Sequence, residues 1–182
     1  MNHDEPWQIF RQNGEPDGQR SISHDEARRT HANVGAVHVW VWCRNQDGTI
    51  DVFLQRRSQR VKDHAGLLDI SFAGHIDAEE TPLQAAKREA KEEVGYDIDV
   101  SRLVYIFGYR NFSNGTKWEY LYQVEPDVTF VFDDGEVSEM KRIPLEKFIT
   151  MAYAPESHEL VPHQPEYYSL LIKALQYYSE NH

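Results

Sequence analysis

Residues 74–96 read GHIDAEETPLQAAKREAKEEVGY, and this stretch dictates a turn, a capped helix and a stop. Thr81 suits the N-cap, Pro82 the first helical position, and Gln84 falls three residues after the cap. Gly95 is placed to end the helix in a left-handed conformation. The spacing predicts a helix over Pro82 to Val94, about thirteen residues long.

At roughly 100° per residue, Leu83, Ala86, Ala90 and Val94 share one narrow face, and its small residues let the helix sit close to a sheet. Glu89, Glu92 and Glu93 are expected together on another. Glu89 and Glu93 form an i,i+4 like-charge pair, which costs a few tenths of a kcal/mol. On charge pattern alone, a solvated acidic face relieved by Arg88 and Lys91 would account for them.

The fixed spacing overturns that account. The stretch resembles the Nudix box: glycine, five residues, glutamate, seven residues, Arg-Glu, an aliphatic, any residue, Glu-Glu, any residue, glycine, an aliphatic. Gly74, Glu80, Arg88, Glu89, Glu92, Glu93 and Gly95 fill its fixed positions. At roughly 0.07 per position from average residue usage, seven such matches arise by chance about once in 10⁸. Ala90 and Tyr96 depart from the two softer aliphatic positions.

The resemblance implies a metal-dependent hydrolase that cleaves the diphosphate linkage of a small molecule. Diphosphate hydrolysis needs a cation to neutralise phosphate oxygens and a positioned, deprotonated water. Mg²⁺ and Mn²⁺ prefer carboxylate oxygens, which a cluster of glutamates on one rigid helix supplies. Carried over residue by residue, Glu89, Glu92 and Glu93 are the Mg²⁺ or Mn²⁺ ligands. Arg88 orients them, and Glu80 and the Gly74 carbonyl complete the surroundings. The general base stays open between Glu89 and an acid outside the box, Glu136 or Glu139.

A wider likeness covers roughly residues 30 to 150. HAGLLDISFAGHI before the helix and DGEVSEMKRI after it resemble the Nudix branch close to isopentenyl-diphosphate isomerase. That raises a rival reaction, double-bond migration by protonation. The isomerases place a catalytic Cys directly before the Gly/Ser-His pair, but here the residues are Ala73-Gly74-His75. Ala73 cannot donate a proton, and every box glutamate is kept. Glu119, in KWEY, is the position to compare with the isomerase's second acid. A third reading is a Nudix-fold binding domain without turnover, which a degenerate box would have favoured.

Arg56, Arg57, Arg60 and Lys62 crowd the approach to the box, and a diphosphate is the partner such a cluster fits. Arg56 and Arg57 lead that expectation, with Lys62 and His75 as further substrate contacts. The net charge of −11 argues against a nucleic-acid polymer, because phosphate tracking needs a basic face. Phe112, Trp118 and Tyr120 are candidates for stacking on a base.

The resemblance implies an α/β fold, the Nudix-type α/β/α sandwich with a mixed central β-sheet. With 182 residues and 40 % apolar content, the chain reads as a single globular domain. Residues 31–182 carry the Nudix domain and a C-terminal helix, and residues 1–30 an N-terminal hairpin or arm. Strands are expected at Val34 to Cys43, Ile50 to Gln55, Leu103 to Tyr109, Trp118 to Val124, Val128 to Phe132 and Val137 to Ile143. A short helix is expected at Pro144 to Met151. A last one runs from Pro165 to about Ser179, with Leu170, Leu171, Ala174, Leu175 and Tyr178 on one side.

His38 reads as a hydrogen-bonded core or edge histidine, and Cys43 as packing; one cysteine forms no intrachain disulfide. No run is long enough for a membrane span and no signal pattern opens the chain, so a cytoplasmic location is expected. Assembly into a homodimer is left open.

Overall fold

The computed structural model describes residues 5–111, 115–132, 135–154 and 159–181. Two short strands, β1 (Trp7–Phe10) and β2 (Pro16–Ile22), pair antiparallel, with Trp7 opposite Ile22. Ser23 then caps α1 (His24–Thr30), a helix the sequence reading did not contain. There follow β3 (Gly35–Arg44), β4 (Ile50–Arg57), β5 (Leu68–Asp69), β6 (Phe72–His75) and α2 (Pro82–Val94). A 3₁₀ turn at Val100–Arg102 leads to β7 (Val104–Asn111), β8 (Gly115–Val124) and β9 (Val137–Pro144). Two helices close the chain, α3 (Leu145–Tyr153) and α4 (Pro165–Asn181). None of the described helices is long and apolar enough to cross a membrane.

β3 is the centre of a mixed sheet. One edge pairs parallel with β8, from Gly35 opposite Thr116 to Cys43 opposite Val124. The other edge forks. Residues Ala36 to Val39 pair with β6, and Val41 to Arg44 pair with β4. Ser71, fully buried, closes the fork: its hydroxyl accepts from the Val41 amide at 2.7 Å and donates to the Phe53 carbonyl. Without it the Val41 N–H would be a buried orphan, a cost of roughly 1–3 kcal/mol.

Side chains alternate across β3, so its two faces differ. Val37, Val39, Val41 and Cys43 pack with Ala85, Ala86, Ala90 and Val94 of α2. Trp40 and Trp42 face the other way, onto Phe148 of α3 and Leu171 and Leu175 of α4. Helices thus cover both faces, an α/β/α arrangement. Towards its start, the tryptophan face of β3 carries Ala36 and His38 instead. A cavity opens there between the sheet, α1 and α2.

Three expectations are corrected. Leu83 is 39 % exposed; the buried arc of α2 is Ala85, Ala86, Glu89, Ala90, Glu93 and Val94. The arc is turned towards β6, so two carboxylates share the buried side with the alanines. Residues 128–132 form no strand. Phe130 packs against Phe53 and Tyr96, and the Val131 amide donates to the Val94 carbonyl at 3.0 Å. The segment therefore lies over the end of α2 instead of joining a ladder. On α4, Leu170 is 50 % exposed; Tyr167, Tyr168, Leu171, Ile172 and Leu175 face inward.

Candidate active site

The predicted cap holds α2 in place: the Thr81 hydroxyl accepts from the Gln84 amide at 3.3 Å, and Gln84 Oε1 accepts from the Thr81 amide at 2.8 Å. Gly95 ends the helix at φ 63°. The helix projects its carboxylates at β6. Glu93 Oε2 accepts from the Ala73 amide at 3.0 Å. Glu89 lies directly over Gly74; a Cβ built on that glycine would fall 1.9 Å from the Glu89 carboxyl carbon. A side chain at the box glycine would have to displace the carboxyl group of the box glutamate above it.

Arg88 ties the acids together. Its Nε and Nη2 donate to the two Glu80 oxygens, both at 2.9 Å, in a bidentate pair. Nη1 donates to Glu89 Oε1 at 2.6 Å and Glu92 Oε2 at 3.3 Å, and Nη2 to the His75 carbonyl at 2.8 Å. Burial works against the Arg88 charge, but Glu80 and Glu89 outweigh it and raise its pKa. Burial also pushes Glu89 up to about 7, with Arg88 opposing. Its Oε2 is buried and has no hydrogen-bond partner among the described residues.

An oxygen-only donor set suits a hard divalent cation, and the orphaned Glu89 oxygen is a coordination position in search of a partner. Among the described residues no three acidic, histidine or cysteine side chains already converge into a closed cage. Arg88 Nη1 spans Glu89 and Glu92, so in this arrangement the guanidinium holds the acids in register. Carboxylate oxygens are the donor type that Mg²⁺ and Mn²⁺ take.

The carboxylates open onto a cavity of about 750 Å³. Gly74, His75, Arg88, Glu89, Glu92, Glu93, Arg57 and Glu136 line it. Glu80 stands behind, bonded to Arg88 and to the Asp77 amide at 3.1 Å. Strand alternation divides the basic cluster. Arg57 faces the cavity, with Asp69 Oδ2 at 3.2 Å. Arg56 does not line it: Glu139 holds its Nε at 2.6 Å and the Gly66 carbonyl its Nη1 at 2.6 Å. That contact also takes Glu139 out of the cavity wall. Lys62 lines an adjoining hollow of about 550 Å³ with Arg28, Arg57, Arg60 and Glu136.

Sequence reasoning missed the opposite wall. Trp7 of β1 stacks on His75 at 3.6 Å and on His24 of α1 at 4.1 Å. Burial and the nearby Lys117 charge drive the His75 pKa well below its usual value, so this ring is neutral. His38 Nδ1 lies 2.7 Å from Glu119 Oε1, without aligned hydrogen-bond geometry. Glu119 is fully buried, and its Oε2 accepts from Tyr167 Oη at 2.8 Å and Trp40 Nε1 at 3.2 Å. Of the stacking candidates, Trp118 packs on Phe10 and Tyr120 is buried in the core, so neither lines the cavity. Phe112 lies outside the described residues. A Trp-Ile-Phe cluster in an otherwise polar segment was the available signal for Trp7.

Residues 35–164 match the NUDIX domain family. A curated relative, Nudix hydrolase 3 of Arabidopsis thaliana, is 31 % identical over 157 residues, 80 % of this chain. The match takes in 20 % of the Arabidopsis protein, so the chain spans about a fifth of that relative's length. An uncharacterised Nudix hydrolase of Listeria monocytogenes is 27 % identical over 139 residues, 75 % of this chain and 72 % of that one. Among solved structures, a Deinococcus radiodurans protein has a TM-score of 0.66 at 22 % identity, over 93 % of this chain and 98 % of that one. A C. elegans Ap4A hydrolase has a TM-score of 0.56 at 21 % identity, over 81 % of this chain and 98 % of that one. At such identities these two structures speak for the fold alone. The mixed sheet between helical layers is the Nudix fold, the box lies on the helix that lines the cavity, and the chain belongs to the Nudix family.

Proposed function

We propose that this protein is a metal-dependent hydrolase that cleaves the diphosphate linkage of a small organic molecule. The observation that carries the reading is Glu89: a buried carboxylate with one unpartnered oxygen, facing a cavity beside two more box glutamates. Glu89, Glu92 and Glu93 would hold Mg²⁺ or Mn²⁺, with the Gly74 carbonyl and Glu80 around them. When bound, such a cation neutralises phosphate oxygens and makes water a better nucleophile.

The chain's own residues do the rest. Arg88 fixes the carboxylates so that little rearrangement accompanies reaction. Arg57, at the cavity wall, neutralises a phosphoryl group, and Lys62 extends positive charge into the neighbouring hollow. Water attacks phosphorus, the bridging P–O bond breaks, and the water proton passes to a carboxylate. With a pKa that burial raises to about 7, Glu89 is suited to that task near neutral pH, and Glu136, outside the box, is another acid on the cavity wall. The rival isomerase reading meets the methyl group of Ala73 on that wall, where an acid would be required.

The test is a panel of nucleoside diphosphate sugars, dinucleoside polyphosphates and isopentenyl diphosphate, each incubated with Mg²⁺ or Mn²⁺ and followed by phosphorus and proton NMR. Hydrolysis of at least one compound is expected, abolished by chelator and lowered at least 100-fold by Glu93→Gln. Dimethylallyl diphosphate forming at an enzymatic rate, or hydrolysis undiminished in Glu93→Gln, would overturn the proposal.

A further inference from the structure

Lys117 stands on β8 opposite Ala36 of β3, and Ala36 is in turn opposite His75 of β6. Side chains in register share a sheet face, so Lys117 and His75 flank Ala36 on the cavity side. Lys117 is only 5 % exposed, an unusual position for a lysine. No described residue gives its ammonium a hydrogen bond or an ion pair. The nearest acid along the strand, Glu119, favours the Lys117 charge through space, while its Oε2 is taken by Tyr167 and Trp40 and its Oε1 lies against His38. Burial lowers the Lys117 pKa to about 8, which still leaves it mostly charged at neutral pH.

An ammonium on a largely buried side chain loses part of its hydration, and the Glu119 charge offsets only some of that loss. Packing does not explain it, since methionine would fill the same space without that cost. The wall therefore holds a cation that lines the cavity and is open to a partner there. We propose that Lys117 is an anion anchor, whose ammonium takes a phosphoryl oxygen of the substrate at the sheet wall while the α2 carboxylates serve the reacting end. Lys117 and the α2 carboxylates line the same cavity of about 750 Å³, which a compound with two phosphoryl groups would enter. The His75 ring, stacked on Trp7, flanks the anchor on the other side of Ala36. The class of ligand rests on the diphosphate reading above.

The experiment measures binding in chelator, so it does not depend on turnover. Inorganic pyrophosphate is titrated calorimetrically into the wild type and into Lys117→Met. The variant is expected to bind at least tenfold more weakly, with an unliganded Tm equal to or above that of the wild type. A lysine kept for structure would instead lower the Tm. In parallel, lysines are reductively ¹³C-methylated, and the Lys117 signal is identified by its loss in Lys117→Met, or in Lys117→Arg should the methionine variant not fold. That signal should shift with the calorimetric Kd. No saturable binding to the wild type, affinities within twofold of each other, an unmoved Lys117 signal, or tighter binding of succinate than of pyrophosphate would each overturn the anchor. Pyrophosphate held by Lys117 in a protein that hydrolyses no diphosphate would uphold it and remove the hydrolase reading instead.

Discussion

Gly74 has no room for a side chain because the Glu89 carboxyl group occupies the place its Cβ would take. The two residues are one constraint written twice in the sequence, fifteen positions apart. Gly74→Ala must push Glu89 aside or bend β6, at a cost of roughly 1–3 kcal/mol. Shortening the acid relieves the collision, so Gly74→Ala is expected to destabilise the wild type but to be tolerated alongside Glu89→Ala. A double-mutant cycle from urea midpoints measures this coupling, expected at 1 kcal/mol or more. Additive effects would mean that the glycine is needed for something other than the glutamate above it.

At the scale of elements, β1 and α1 contribute one wall of the cavity, β2 pairs with β1, and this unit is joined to the rest through few backbone bonds. The Gln8 amide donates to the Ile76 carbonyl and the Phe10 amide to the Asn33 carbonyl. Trp7, buried between two histidines, and Phe10, packed in the main core against Trp118, are its apolar attachments. Trp7→Ala should cost about 3–5 kcal/mol and lower the Tm by roughly 10 °C. Hydrogen exchange should rise first in β1, β2 and α1 while β3 and β8 stay protected. Equal acceleration throughout would show that this unit is not separable. The N-cap, Pro82 and Gly95 made α2 legible to the residue, because helix ends are written in local chemistry. The buried face of α2 was less so: the choice between Leu83 and Ala85 depends on where β6 lies. Residues 128–132 show the converse, since Phe130 and its neighbours have strand composition but are held by side-chain burial.

Across the whole molecule, the site joins segments that the sequence keeps far apart. The parallel pairing of β3 with β8 brings Lys117 beside Ala36, and the fork at β6 adds His75. Local spacing cannot announce such neighbours, so the box was readable and the wall facing it was not. Arg56 and Arg57 could not be told apart before the register of β4 against β9 was known. The box glutamates can be tested through the stability of the whole chain. A cation that binds only the folded protein stabilises it by about 2.7 kcal/mol at one hundred times its Kd, or roughly 5–10 °C in Tm. Mn²⁺ should therefore raise the Tm of the wild type. The Glu92→Gln/Glu93→Gln variant should lose most of that gain, while its metal-free Tm stays level or rises as like charges are removed. Protons compete for the same oxygens. Since Glu89 has a pKa of about 7, the Mn²⁺ gain should be larger at pH 8, where this acid is ionised, than at pH 6, where it holds its proton. Thermal scans with and without EDTA at both pH values decide the matter. An equal Mn²⁺ shift in wild type and variant would place the cation elsewhere on this acidic protein and remove the box from the metal site.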